Sequence, residues 1–164
     1  LEGDSVIQEA IEYGLCQELV LNENYEEMII KAYSKPSIKE EFHENRQLKA
    51  RVNYKGRKQH GLSEWYYENG QLERKGSWKD GKKHGLWETY DENGQLESKD
   101  NYKDGEYHGF FEWYHKNGQL WQKGSWKDGK KHGLTEWYYE DGQLWLITCY
   151  KNGERTDDSY CKPQ

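Results

Sequence analysis

Aliphatic side chains are scarce in this 164-residue chain: Leu, Ile, Val and Phe together number 25, or 15%, below the roughly 20% at which composition alone suggests disorder. Too little aliphatic material is present for an ordinary globular core. No run approaches the roughly 18 apolar residues that span a bilayer, and no signal-peptide pattern is visible in a chain that starts without Met. Cys16, Cys149 and Cys161 are the only cysteines, an odd set with no CxxC or His/Cys pairing at zinc spacing. They read as free thiols in a reducing cytoplasm, with a Cys149 to Cys161 bridge as the less favoured alternative. Also missing are a Gly-rich phosphate loop, a nucleophile elbow and a His-Glu metal motif. A non-enzymatic protein without cofactor or metal is therefore expected. Paired carboxylates among aromatics keep carbohydrate binding or hydrolysis as the alternative from another class.

What the chain has instead is 8 Trp, 14 Tyr and 17 Gly, the makings of short aromatic strands joined by tight turns. Its charge is uneven. The net -6 lies within residues 1 to 36, where Glu2, Asp4, Glu9, Glu12, Glu18, Glu23, Glu26 and Glu27 face only Lys31 and Lys35. The remainder is balanced, with no basic cluster to release counterions from nucleic acid or to hold anionic lipid. Neither nucleic acid nor membrane is an expected partner; a basic protein steered by the acidic segment is.

Self-similarity organises the rest. His-Gly recurs at 60/61, 84/85, 108/109 and 132/133, and Gln-Leu at 47/48, 71/72, 95/96, 119/120 and 143/144. The string from Ser77 to Leu86 returns unchanged from Ser125 to Leu134. Five 24-residue units begin near Ser37, Gly61, Gly85, Gly109 and Gly133. Within each, two strand-like runs flank Asn69-Gly70, Asn93-Gly94, Asn117-Gly118 or Asp141-Gly142, which predicts β-hairpins closed by two-residue type I′ turns. The first unit has Asn45-Arg46, predicting a poorer or longer turn. Counting outward sets Tyr67 opposite Leu72, Tyr66 opposite Glu73, Trp65 opposite Arg74 and Glu64 opposite Lys75. Trp65, Tyr67, Leu72, Gly76 and Trp78 then share the expected core face, and Leu62, Glu64, Tyr66 and Lys75 the other.

The predicted architecture is mostly β: an elongated single-layer antiparallel sheet of five hairpin repeats over 37–156, with an acidic helical segment at 1–36 and a tail at 157–164. Ile7, Ala10, Ile11 and Leu15 recur at helical spacing, with Ser5 and Gln8 as a capping box. A second helix is expected from Asn24 to Tyr33, before Pro36. Both would cover the first hairpin, since an open strand edge invites pairing.

The run from Gly76 to Gly85 resembles the MORN repeat, Gly-x-Trp-x-x-Gly-x-x-His-Gly, and recurs from Gly124 to Gly133, with weaker copies at Tyr102 to Gly109 and Tyr54 to Gly61. It departs from the eukaryotic form at Arg74, Trp87, Phe111 and Thr135. The Glu-Asn-Gly-Gln-Leu turn is similar to the bacterial, antitoxin-like variant. The resemblance implies an extended binding sheet and names no partner.

Two columns are structural on this reading. His60, His84, His108 and His132 stand two strands apart, roughly 9 to 10 Å, too far to share a metal, so each is expected to stabilise its turn. Glu40, Glu64, Glu88 and Glu112 face Arg51, Lys75, Lys99 and Lys123; Glu136 alone faces Ile147. The informative change is at Glu73 and Glu97, which become Trp121 and Trp145. Set beside Tyr114, Tyr138 and Ile147, with Glu136 uncompensated, they form a candidate protein-binding patch. The expected function is inhibition or neutralisation of a partner protein, a toxin or defence effector from a bacterial or phage setting. A homodimeric scaffold using the same patch is the alternative, as is cover of the patch by Tyr160 or Cys161 of the tail.

Overall fold

The computed structural model describes residues 35–161; the predicted N-terminal helices lie outside them. Twelve strands form one antiparallel sheet: β1 Pro36–Phe42, β2 Leu48–Lys55, β3 Lys58–Tyr66, β4 Leu72–Lys79, β5 Lys82–Tyr90, β6 Leu96–Lys103, β7 Glu106–Tyr114, β8 Leu120–Lys127, β9 Lys130–Lys131, β10 Gly133–Tyr138, β11 Leu144–Lys151 and β12 Glu154–Thr156. Spatial order follows chain order from β1 to β12, except that β8 is flanked by both β9 and β10.

Two kinds of turn alternate, and their assignment corrects the expected one. At the Asn-Gly turns the Gly70 N–H donates to the Tyr67 carbonyl and the Tyr67 N–H to the Gln71 carbonyl, both 2.9 Å. Only the glycine has positive φ, so this is a type I turn closed by a glycine bulge, and Glu73 becomes the extra residue: Trp65 pairs with Arg74 but Tyr66 pairs with Leu72. Asn69 explains the choice, since its Oδ1 accepts the Gln71 N–H at 2.9 Å and holds the asparagine out of the left-handed region. The two-residue type I′ turns occur at the opposite edge, where Asp80-Gly81, Asp104-Gly105, Asp128-Gly129 and Asn152-Gly153 all have positive φ. The first unit keeps the same bonds with Arg46 at φ 68° in the glycine position. Its turn is thus neither longer nor less hydrogen-bonded, but it places a side chain where glycine is preferred.

Hydrophobic burial occurs within one face of this single layer. Ser63, Gly76, Trp87, Asp100 and Phe111 pair successively across β3 to β7, and Gly124 follows on β8. The glycines are floors for rings: a Cβ on Gly76 would stand 2.2 Å from the Trp87 ring. Trp78, Trp87, Tyr102, Tyr107 and Trp126 continue the aromatic layer, with centroids 4.5–6.2 Å apart. Rings laid along a sheet thus replace the missing aliphatic core. Lys83 lies 4.3 Å from the Trp87 centroid, and Lys131 sits over Phe111, Trp113 and Trp137. Burial lowers the pKa of both amines.

Beyond β12 a 3₁₀ turn, Asp158–Cys161, returns over β10 and β11. Cys149 and Cys161 form a disulfide across a Cα separation of 6.0 Å. This overturns the free-thiol reading of these two residues and removes its argument for a reducing compartment. Among the described residues no helix is long and apolar enough to cross a membrane.

Candidate protein-binding surfaces

The face opposite the aromatic layer carries a ladder of ion pairs. Arg51 reaches Glu40 at 2.9 Å and Glu64 at 3.7 Å. Lys75 then reaches Glu88 (2.9 Å), Lys99 reaches Glu112 (3.7 Å) and Lys123 reaches Glu136 (3.1 Å). From Lys75 onward each bridge joins one hairpin to the next. Glu136 does face Ile147 across β11, but it is compensated from β8, so its expected exception disappears.

Hydroxyls complete the ladder. Tyr90 donates to Glu88 at 3.2 Å, Tyr114 to Glu112 at 2.7 Å, and Tyr138 to Glu136. Burial raises the Glu136 carboxyl, yet bonds from Tyr138 and Lys123 outweigh it and hold the pKa below the ordinary value. Burial and the neighbouring Glu112 push the Tyr114 phenol up to about 12. Tyr114, Tyr138 and Glu136 are thus occupied by neighbours within the sheet.

Beside the ladder runs an apolar row. Leu62 pairs with Ser77, Leu86 with Asn101, Phe110 with Ser125 and Leu134 with Cys149. Phe110 is 77% exposed, and the three leucines are also exposed. An open groove of about 730 Å³ lies at the end of the row, bounded by Phe110, Leu134, Glu136, Tyr160 and Cys161. The tail therefore folds back, as the alternative reading held, but it bounds one end of this groove and leaves Trp145 and Ile147 exposed.

The bulges divide the expected patch. Trp121 is the extra residue of its hairpin, since Trp113 pairs with Gln122 and Tyr114 with Leu120. Its ring stacks on Trp113 at 5.9 Å and meets His115 at 6.3 Å, on the aromatic side and away from Tyr114. Trp145 occupies the same bulge position one hairpin later and packs 5.9 Å from Tyr139. Trp145 is 56%, Tyr139 52% and Trp121 41% exposed. The structure thus sets the Tyr139–Trp145 pair and, two strands away, Trp121 along the Asn-Gly edge, and leaves Tyr114, Tyr138, Glu136 and Ile147 on the ladder face, with Leu144 opposite Tyr138. Tyr139 was missed because an assumed I′ register gave the bulge residue a cross-strand partner. The apolar row was legible as the residue following each His-Gly.

The edge is stiff. Each turn is tied to the next by side chains: Asn45 donates to the Glu68 carbonyl, Asn69 to Glu92 and Asn117 to Glu140, all at 2.7 Å. At the other edge the histidines attend the turns, His60 and His108 accepting the Asp80 and Asp128 N–H at 3.5 and 3.4 Å. His132 departs from the column and contacts the Tyr160 hydroxyl at 3.2 Å.

The sequence pattern of the MORN repeat variant matches residues 59–80, 83–104, 107–128 and 131–152. The chain belongs to the MORN repeat variant family. These four MORN matches keep the 24-residue step and leave out the first hairpin, the one with Arg46 in the glycine position. No curated protein matches the chain. Among solved structures TarM is similar over 73% of this MORN chain and 25% of that chain, with 12% identity and a TM-score of 0.35. A mutant S. aureus TarM in complex with Fondaparinux, alpha-GlcNAc-glycerol and UDP gives 77%, 27%, 13% and 0.37 for the same quantities. The chain spans about a quarter of the length of these neighbours, and the likeness carries no functional argument.

Proposed function

We propose that this MORN-repeat chain is a non-enzymatic protein-binding module, antitoxin-like in that it inhibits or neutralises the protein it captures. The carrying observation is the exposed Tyr139–Trp145 pair, with exposed Trp121 two strands away on the same turn edge, which is stitched by side-chain hydrogen bonds. Trp and Tyr concentrate binding energy at interfaces, and a rigid support spares the ordering cost of engaging them. Glu140 and Asp141 border Tyr139, so the fitting partner presents an apolar surface rimmed by basic groups.

The test is a pull-down from the source cells followed by titration of the purified partner. A single partner should bind wild type and lose affinity about 30-fold or more with Trp121→Ala/Trp145→Ala, equivalent to about 2 kcal/mol, while losing its own activity on binding wild type. Unchanged affinity of the double variant would remove the site. A captured partner that keeps its activity would remove the inhibitor reading alone.

A further inference from the structure

On the ladder face, away from the turn edge, we propose that the sheet docks against a second copy of itself. The argument is a two-strand repeat in both shape and charge. Strands β3, β5 and β7 each present a projecting apolar side chain and a carboxylate two residues on: Leu62 with Glu64, Leu86 with Glu88, Phe110 with Glu112. The strands between them, β4, β6 and β8, present a small polar residue and a cation at the matching positions: Ser77 with Lys75, Asn101 with Lys99, Ser125 with Lys123.

The face is therefore a row of teeth and gaps beside a row of alternating charge, with both rows in phase. A two-fold axis lying between the copies and parallel to the strands reverses strand order without shifting positions along the strands. Offset by an odd number of strands, each about 4.8 Å apart, the partner sets teeth over gaps and carboxylates over cations together. No other sheet is needed to complete the fit, which is the self-complementarity an isologous interface requires.

Size and cost agree with that occupant. Eight strands of eight or so residues give a face roughly 35 Å by 25 Å, or ~900 Å² per copy, against about 800 Å² for a standard interface. The carboxylates are already bridged by Lys75, Lys99 and Lys123, so docking buries neutralised pairs rather than bare charges. Phe110, the most exposed large apolar side chain of the described residues, stands in the row with open groove beside it. Tyr160 and Cys161 bound the row at its β10–β11 end.

Sedimentation of the full chain from 1 to 100 μM tests this. Wild type is expected to be a dimer, Phe110→Asp and Leu86→Asp each weaken dimerisation about 30-fold or more, and Trp121→Ala/Trp145→Ala stays dimeric. Both aspartates replace exposed side chains, and an unchanged near-ultraviolet circular dichroism spectrum shows that each variant is folded. Phe110→Ser replaces either variant that misfolds. A monomeric wild type at 100 μM overturns the proposal, whether residues 1–34 or another protein cover the face. So does a dimer that survives these substitutions. Neither result bears on the turn-edge site.

Discussion

Gly76 shows how a residue without a side chain can support a core. Its Cα is the surface on which the Trp87 ring lies, so Gly76→Ala drives a methyl to 2.2 Å from the ring and should cost about 2–3 kcal/mol by chemical denaturation. Gly85→Ala meets nothing within 4 Å but holds φ at 76°, and should cost only about 1 kcal/mol of backbone strain. Charge follows the same local logic. At Glu88 burial raises the carboxyl pKa, but bonds from Lys75 and Tyr90 hold it below 4.5, as Lys123 and Tyr138 do for Glu136. The folded state then binds fewer protons than the unfolded chain, so these carboxylates stabilise above about pH 4.5 and lose that contribution as pH falls through their depressed values. Asp100 is opposite in sign, because burial raises its pKa and its ionised form is costly at neutral pH. Asp100→Asn keeps an acceptor for the Trp113 Nε1–H, now 3.0 Å away. It should leave stability at pH 7 unchanged or raise it by up to about 1 kcal/mol, read from urea melts at pH 4 and 7.

Each 24-residue repeat has one turn of each kind, and their chemistry accounts for which strand residues face where. The Asp-Gly turns pair directly, Lys79 with Lys82 through Ser77 with His84, before Gly85 and Leu86 bulge out ahead of the Gly76–Trp87 pair. The Asn-Gly turns instead offset the pairing by one residue beside the turn until the bulge at Glu73 takes it up. That shift separates Trp121 from Tyr114, although the two are only seven positions apart in sequence. The first hairpin reveals the cost of changing the turn: with Arg46 at φ 68°, Arg46→Gly should raise stability by about 1 kcal/mol, seen as a higher melting temperature with an unchanged spectrum. Most of the hairpin pattern was legible because turn residues and ring positions recur every 24 residues. The bulge was not, since Asn-Gly is compatible with both a type I′ turn and the central and closing residues of a type I turn.

Across the described residues, stability is a chain of neighbour contacts from one strand to the next. An array of this kind frays from its termini, which gives the Cys149–Cys161 bridge its importance: it ties the returning 3₁₀ turn to β11 and closes the last hairpins. Reduction, or Cys161→Ser, should lower stability by about 3 kcal/mol, and hydrogen exchange should show β10 to β12 losing protection before β4 to β7. Lattices of this type have two large faces and two edges, so one edge can hold a foreign protein while a face pairs with a second copy.

The sequence by itself determined the repeat, its 24-residue step, the hairpin unit, the Trp65–Gly76–Trp78 face and the register that sets Glu64, Glu88 and Glu112 opposite Lys75, Lys99 and Lys123, because these depend on alternation and on residues that return at a constant interval. Only the tertiary structure decided which turn was which, that Lys123 compensates Glu136 from the preceding hairpin, that the tail is bridged to β11, and that Trp121 and Trp145 leave Tyr114 and Tyr138 for the turn edge. Those outcomes depend on a single inserted residue per hairpin and on contacts between successive repeats, neither of which has a period that can be read along one chain.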